Sequence, residues 1–251
     1  MYKIPANLGF PSNQVHYLPT CHSTNEIMTN LLASGVEEGY IVITDFQSAG
    51  KGQPGKSWET QPYKNLTFSL LLKPSFLKLE NQFRLTQVIS LSVAGVVQNY
   101  LSEIVHVKWP NDIYVKEGKI AGILIQNSVK NRVFESCIVG IGLNVNQDVF
   151  ETPEATSLKG ITGKSYDINA ILAQLIEEIS ERYSLLREGN FSLLNDEYQE
   201  LLYAKNQLKV FESDKRFYGE IIGTDQVGRL LVQTLDGIKS FQNQEVKLVR
   251  G

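Results

Sequence analysis

Apolar residues along this chain recur with two spacings, and the change between them divides the chain into elements. Short apolar or β-branched runs bounded by turn residues predict strands, whereas apolar residues at intervals of three and four predict helices. The predicted strands cover residues 15–18, 40–44, 65–72, 105–108, 113–115, 119–129 and 132–139, and the predicted helices cover 23–35, 80–101, 167–186 and 191–203. Strands and helices therefore share one large domain.

The pattern of apolar and polar residues changes after residue 204. Short alternating segments at 208–211, 218–224, 229–234, 238–241 and 246–249 are separated by turn residues such as Asp225 and Asp236. Five short strands so close together predict a small β-barrel. We therefore predict two domains, residues 1–204 and residues 205–251.

The start of the first helix has two interpretations. Ser23 can cap the first turn while Glu26, three residues later, reaches back to complete a capping box. Alternatively, the polar run Ser23-Thr24-Asn25 contacts a ligand. These residues alone leave both interpretations open.

Residues 47–58, QSAGKGQPGKSW, form a glycine-rich loop that follows the strand 40–44. Its glycines let the backbone approach a ligand closely, and Lys51 and Lys56 supply charge for phosphate or carboxylate oxygens. The loop is therefore predicted to hold an anion. A mobile, solvated loop without a ligand is the alternative.

The same loop also fits the spacing of a phosphate-binding P-loop, with Gly50, Gly55, Lys56 and Ser57 at the required positions. A P-loop must open a helix, but Pro62 stands where the second turn would be. Pro54 also removes a backbone N–H that the phosphate cradle uses. The sequence therefore argues against a P-loop.

Polar side chains gather at the strand ends of one predicted hairpin, namely Lys108, Asn111, Asp112 and Lys119. Rigid strand ends next to turns are favourable places for reactive groups. Ordinary turn chemistry also explains Pro-Asn-Asp. Bare glycines in the next two strands, at 122, 140 and 142, fit either a bulge or a close ligand approach.

Composition narrows the class of protein. With 42% hydrophobic and 20% charged residues among 251, the chain has the make-up of a soluble globular protein, and its net charge of -3 argues against nucleic acid as the main partner. Cys21 and Cys137 stand at no metal-ligand spacing with the three histidines. The absence of a signal peptide or a bilayer-length apolar run predicts a cytoplasmic protein without membrane association.

Five segments, taken in order, resemble the signature of biotin protein ligases. They are Ser23-Thr24-Asn25, QSAGKG at 47–52, KWPND at 108–112, KIAGIL at 119–124 and GIGLN at 140–144. The similarity extends over nearly the whole chain. It implies an α+β fold with a central mixed sheet flanked by helices, as in class II aminoacyl-tRNA synthetases, and an SH3-like C-terminal barrel.

The resemblance also implies the chemistry. ATP and biotin would give biotinyl-5'-adenylate and pyrophosphate, with Mg²⁺ screening the leaving group. A lysine of a biotin carboxyl carrier protein would then take the biotinyl group. Lipoate-protein ligases share this fold and logic and are the near alternative, and a non-catalytic sensor of biotin or nucleotide is the alternative from another class.

Site residues follow from the same resemblance. Biotin would be bound by Ser23, Thr24, Asn25, Gln47, Gly50, Lys51, Gly52, Gln53, Lys119, Gly122 and Ile123, and the nucleotide by Lys51, Gly52, Gln53, Trp58, Lys108, Asn111, Lys119 and Asn144. Lys119, Asp112 and Lys51 would be catalytic. Lys119 would bridge the biotin carboxylate and the α-phosphate, and Asp112 would orient the acceptor lysine. No metal site would be fixed by the protein alone.

The chain departs from the family pattern in the loop. Arginines usually stand where this chain has Lys51, Gln53 and Lys56. Lysine keeps the charge but not the bidentate fork, and Gln53 loses the charge. Only 22 residues precede Ser23, too few for the helix-turn-helix domain of family members that repress transcription, so we expect no specific DNA binding. The family includes homodimers, and a homodimer is compatible with this sequence.

Overall fold

The computed structural model describes residues 2–5, 9–53 and 55–249. Pro54, used above against the P-loop, lies outside these residues. The larger sheet consists of β1 Val15–Cys21, β2 Ile41–Gln47, β3 Leu66–Leu72, β4 Val105–Lys108, β5 Asp112–Val115, β6 Gly118–Lys130 and β7 Val133–Leu143. The helices are α1 Thr24–Leu32, α2 Gln82–Gln98, α3 Leu158–Thr162, α4 Ile168–Arg187 and α5 Phe191–Glu200, and a 3₁₀ turn at Leu79–Asn81 precedes α2.

The seven strands form one mixed sheet in the order β1-β2-β3-β7-β6-β5-β4. Only β1 and β2 pair in parallel, joined by α1, and the other neighbours are antiparallel. Side chains of β2 alternate between the two faces of the sheet, and each face is covered by a different apolar cluster. Ile41 and Ile43 point into the main core, whereas Val42 points to a smaller cluster that contains Met28 of α1. Both faces of the sheet are covered, and all seven residues of β3 are therefore buried, including the polar Thr67 and Ser69.

The last part of the chain forms an antiparallel sheet of β8 Leu208–Glu212, β9 Arg216–Thr224, β10 Leu230–Thr234, β11 Gly237–Phe241 and β12 Lys247–Leu248. This sheet packs against the larger unit. Phe211 and Val232 belong to the same apolar cluster as Phe83 of α2, and Trp109 Nε1 donates a hydrogen bond to the Gly228 carbonyl at 2.9 Å. The division at residues 204 and 205 stays a prediction.

The predicted fold class is confirmed: a central mixed sheet with helices and a second, antiparallel sheet at the C-terminal end. The predicted strands and long helices are all present, with ends that shift by a few residues. The segment from Trp58 to β3 contains no helix, in agreement with the argument against a P-loop. Within the described part of the chain, no helix has the length and apolar character needed to span a membrane.

The structure decides between the two interpretations of the start of α1 and adds a helix that the sequence did not predict. The capping box does not form, because the Ser23 side chain makes no capping hydrogen bond and the Glu26 carboxylate pairs instead with Lys51 of the glycine-rich loop at 3.2 Å. The sequence also gave no indication of α3. Ser157 caps this helix by accepting from Gly160 N, but five residues are too few to produce a helical period.

The contact between Gly228 and Phe83 yields a stability prediction. Gly228 has a φ of +88°, and an added Cβ would collide with the Phe83 ring. We expect Gly228→Ala to lower the free energy of unfolding by about 3 kcal/mol, because left-handed backbone disfavours alanine by about 1 kcal/mol and overpacking adds about 2 kcal/mol. Equilibrium unfolding in urea measures this loss.

Gly189→Ala is the matched control. Gly189 has a similar φ of +82°, but an added Cβ would meet nothing within 4 Å. It should therefore lose only the backbone contribution of about 1 kcal/mol. Equal losses in the two variants would show that the C-terminal sheet does not depend on its contact with Phe83.

Candidate active site

A pocket opens where the start of α1, the glycine-rich loop and the strands β2, β3, β6 and β7 meet. Twelve of the predicted site residues line it: Ser23, Thr24, Asn25, Gln47, Lys51, Gly52, Gln53, Trp58, Asp112, Lys119, Gly122 and Ile123. They come from segments that are distant in sequence. The sheet order therefore brings together the residues that the sequence singled out.

The inner end of the pocket is polar and buried. Ser23, Thr24, Asn25 and Gln47 are each less than a tenth exposed. The Thr24 backbone N–H donates to Gln47 Oε1 at 2.8 Å, and Asn25 Nδ2 donates to Gln126 Oε1 at 2.9 Å. Buried polar groups must be paired to be tolerated. This end therefore suits a ligand with hydrogen-bonding groups of its own.

Glycines form part of the pocket wall. Gly122 of β6 and Gly142 of β7 are cross-strand partners, and the Trp58 indole lies on both. A Cβ at Gly122 would stand 2.9 Å from Trp58 Cζ3, and one at Gly142 would overlap the indole. The bare backbone predicted at these positions therefore serves a close approach, and the group that approaches is Trp58. The indole Nε1 is buried and has no hydrogen-bond partner among the described residues.

The glycine-rich loop folds back on itself above the pocket. Lys51 and Ser57 form an isolated bridge, and Gly52 N donates to Lys56 O at 3.0 Å. Gln53 Nε2 donates to Asn111 Oδ1 at 3.2 Å, which ties the loop to the turn before β5. The loop is therefore held by polar contacts that a ligand could replace.

The mouth of the pocket carries an ion pair. Lys119 Nζ lies 2.7 Å from Asp112 Oδ1, and their side chains are 26% and 24% exposed. Lys119 Nζ also lies 5.7 Å from the centre of the Trp58 ring. A cation and a carboxylate are thus placed side by side next to an apolar wall, where solvent screens charge less than in water.

Cysteine chemistry does not fit this site. Cys21 stands at the end of β1, two residues before Ser23, and burial raises the pKa of its thiol. Burial raises the pKa of Cys137 to about 12. Both cysteines are therefore thiols at neutral pH, and neither is a ready nucleophile. Among residues 2–5, 9–53 and 55–249, no group of three or more His, Cys, Asp or Glu is arranged to hold a metal ion.

Four predicted residues lie outside the pocket lining. Gly50 stands beside it, where its missing side chain leaves room for the Gln47 amide. Asn111 supports the site through Gln53 and donates to the Ile123 carbonyl. The Lys108 ammonium lies 4.7 Å from the centre of the Tyr114 ring. Asn144 donates to the Thr156 carbonyl, and its Oδ1 is buried without a partner in the described part of the chain.

Eight further residues line the pocket without being among the predicted site residues: Lys56, Ser57, Thr67, Phe68, Leu124, Gly140, Ile141 and Gly142. The sequence identifies Lys56 as a charge for an anion, and it leaves the two glycines open between a bulge and a close ligand approach. On β3, the one available signal was the pair of polar residues Thr67 and Ser69, two apart within an apolar strand and therefore on one face.

Comparison with known proteins agrees with this geometry. The sequence model of the Biotin/lipoate A/B protein ligase family matches residues 17–144. "Bifunctional ligase/repressor BirA" of Bacillus subtilis is 28% identical over 240 residues, which cover 92% of this chain and 73% of that protein. "Biotin--[acetyl-CoA-carboxylase] ligase" of Mycobacterium tuberculosis is 29% identical over 179 residues, which cover 69% of this chain and 65% of that protein.

Among solved structures, the biotin protein ligase from Aquifex aeolicus in complex with biotin and ATP superposes with a TM-score of 0.81. It is 29% identical, and the match covers 96% of this chain and 100% of that chain. The family match extends over more than half of the 251 residues and contains every residue that lines the pocket. The chain therefore belongs to the Biotin/lipoate A/B protein ligase family.

Proposed function

We propose that this chain is a biotin protein ligase. It would condense biotin with ATP to biotinyl-5'-adenylate and pyrophosphate, and then transfer the biotinyl group to a lysine of a biotin carboxyl carrier protein. Relatives and structural neighbours that carry the name biotin ligase support this proposal, including a structure with bound biotin and ATP. The observation that carries it is the buried polar end of the pocket.

That polar end favours biotin over lipoate. Thr24, Asn25 and Gln47 offer hydrogen-bonding groups in a place that water scarcely reaches. The ureido ring of biotin has a carbonyl and two N–H groups to pair with them, whereas the dithiolane ring of lipoate has neither. A site built for hydrogen bonds rejects a ligand that lacks them, because its buried polar groups are then left unpaired.

The first step needs positive charge at a defined point. A carboxylate oxygen must attack the α-phosphorus while pyrophosphate leaves, which brings like charges together. Lys119 at the pocket mouth is placed to stabilise that charge. Lys51 and the backbone N–H groups of the glycine-rich loop would approach the phosphates, with Gln53 contributing an uncharged amide. The loop would also keep water from the adenylate.

The second step needs an uncharged amine. Asp112 is paired with Lys119 at 2.7 Å. When Lys119 engages the new acyl phosphate, the Asp112 carboxylate becomes available to the ammonium group of the acceptor lysine and can take its proton. The amine then attacks the acyl carbon, an amide bond forms and AMP leaves. One carboxylate and one lysine would thus serve both steps.

The remaining assignments concern the nucleotide. Trp58, whose buried Nε1 has no hydrogen-bond partner among the described residues, would close against the adenine. Asn111, Lys108 and Asn144 would lie near the nucleotide. Mg²⁺ would be held mainly by the phosphates of ATP, since no cluster of three acidic, histidine or cysteine side chains among the described residues is arranged for it. Its chemical contribution would be to screen the charge of the pyrophosphate.

Other aspects stay predictions. They are the cytoplasmic location, the lack of specific DNA binding, a possible homodimer and the division into a catalytic domain and a C-terminal SH3-like domain. The hydrogen bond from Trp109 to Gly228 suggests a role for the C-terminal sheet in the active site. Trp109 lies in the turn that leads into Asp112, so the sheet would help to hold Asp112 in position.

The choice of acid is directly testable. We expect the purified protein to form an adenylate with biotin and Mg-ATP at a kcat/KM at least ~10³-fold above that with lipoate, because lipoate would leave buried donors and acceptors unpaired. Exchange of labelled pyrophosphate into ATP measures this step. A response to lipoate alone would reject the proposal.

A purified carrier domain extends the same experiment. Labelled biotin should become covalently attached to its lysine, and a carrier with arginine at that position is the control. A protein that binds biotin and ATP without labelling the carrier would be a sensor and not a ligase.

The role of Lys119 yields a second prediction. Lys119→Ala should lower the rate of adenylate formation at least ~100-fold, because one preorganised donor to a developing charge contributes about that much. The Kd of biotin should change by less than about threefold. Single-turnover adenylation and equilibrium biotin binding provide the two measurements.

Lys116→Ala is the matched control. Lys116 lies in the turn between β5 and β6, three residues before Lys119, is largely exposed and pairs with Glu103 at 3.1 Å. Its loss should change neither quantity. If Lys119→Ala weakened biotin binding as strongly as it slowed adenylation, Lys119 would serve ground-state binding only.

A further inference from the structure

A fully buried serine lies behind the polar end of the pocket. Ser69 on β3 has no exposed surface and is not one of the residues that line the pocket. Its Oγ lies 2.6 Å from Asn25 Oδ1 and 2.8 Å from Thr24 Oγ1. On the basis of the proposed biotin ligase function, we propose that Ser69 is a positioning residue. It fixes the donors and acceptors with which the pocket selects a cyclic urea.

The proton count of these contacts gives them a direction. Ser69 has one hydroxyl proton, and the carbonyl oxygen Asn25 Oδ1 has none, so the 2.6 Å contact must carry the Ser69 proton. The Thr24 proton then has two acceptors within reach, Ser69 Oγ at 2.8 Å and Gln47 Oε1 at 3.2 Å, and the shorter contact favours Ser69. Ser69 therefore orients two side chains at once, because it donates to one and accepts from the other.

The Asn25 amide is fixed at both ends. While Oδ1 takes the Ser69 proton, Nδ2 donates to Gln126 Oε1 at 2.9 Å. The amide lies directly over Gly140, where any Cβ would collide with Oδ1. The glycine in β7 thus gives room for this amide, and the two hydrogen bonds determine which of its atoms faces which partner.

Gln47 is oriented in the same network. A backbone N–H can only donate, so the atom that faces Thr24 N at 2.8 Å must be Gln47 Oε1. The Nε2 donors, beside Gly50, are left for the pocket. With its proton committed to Ser69, Thr24 Oγ1 keeps lone pairs that can accept. The pocket thus offers donors to a carbonyl and an acceptor to an N–H, which is the pattern of a cyclic urea.

Ser69→Ala tests this proposal. The variant leaves Asn25 and Thr24 without their common partner, so both can turn away from the arrangement that the ligand needs. We expect the KM for biotin in pyrophosphate exchange to rise about tenfold. The KM for Mg-ATP and the kcat should stay within about twofold, because the hydroxyl does not contribute to the charged part of the reaction.

Ser92→Ala is the matched control. Ser92 on α2 is also fully buried and donates its hydroxyl to the Val88 carbonyl at 2.8 Å, away from the pocket. It removes the same group from the interior and should leave the KM for biotin unchanged.

Gln126 gives an independent test should Ser69→Ala fold poorly. Gln126 is exposed on β6, so its replacement does not disturb the core. Gln126→Met removes the acceptor of Asn25 Nδ2 and should raise the KM for biotin severalfold. Gln126→Glu retains a carboxylate acceptor and should restore most of that loss.

A modified ligand separates positioning from general damage. Biotin methylated on a ureido nitrogen lacks one of the N–H groups that the pocket recognises. For biotin, Ser69→Ala should raise the KM about tenfold. For the methylated ligand, the same substitution should raise the KM much less, because the methyl group and the substitution remove the same interaction. Additive losses would assign Ser69 a structural role only.

The outcomes also separate this inference from the proposed function. If the native protein shows no biotin-dependent exchange, the function itself fails. If it responds to biotin but Ser69→Ala and Gln126→Met both leave the KM for biotin unchanged, the function stands and Ser69 is not a positioning residue. An equal rise in the KM for Mg-ATP would likewise overturn the inference.

Discussion

The site depends on one buried hydrogen bond, from the backbone N–H of Thr24 to the side-chain oxygen of Gln47. It joins the first turn of α1 to the last residue of β2, and so it satisfies a helix donor that has no partner within the helix. An N-cap side chain accepts from the second or third helical residue and would leave this first donor free. Here the cap comes from a strand, and the polar inner end of the pocket is the result. The hydrogen bond that starts α1 thus also orients the Gln47 side chain in the pocket.

The capping box, one of the two interpretations of this helix start, does not form. Ser23 and Glu26 have the spacing for it, and local rules favour it. In the fold, Ser23 lines the pocket and Glu26 pairs with Lys51 of the loop. Local preference was overridden where two distant segments meet, as is typical of functional sites. The fold itself was predictable, because the apolar periods of β3, α2 and α4 are long and unambiguous.

The candidate site was predictable only in part. Five short motifs contain ten of the twelve predicted lining residues, and Gln53 and Trp58 follow the second motif in the same loop. Each motif places polar or glycine residues where packing alone would favour apolar ones. Ser69 gave no such motif, since one small polar residue in a buried strand is common. Lys108 and Asn144 show a second limit. Both belong to the motifs, but neither lines the pocket, because Lys108 lies over the Tyr114 ring and Asn144 donates to the Thr156 carbonyl. Motifs identify segments, but pairing register decides which side chains converge.

The pairing of β3 with β7 has a consequence for the order of folding. Leu66 lies opposite Leu143, so two walls of the pocket come from opposite ends of a long stretch of chain. Contacts between residues far apart in sequence form slowly, whereas contacts among β1, α1 and β2, which are neighbours along the chain, form faster. During synthesis, the polar end around Thr24 and Gln47 can therefore form well before the glycine wall exists. The pocket becomes complete only when β7 has left the ribosome, and any ligand that needs both walls stabilises only chains that have reached this point.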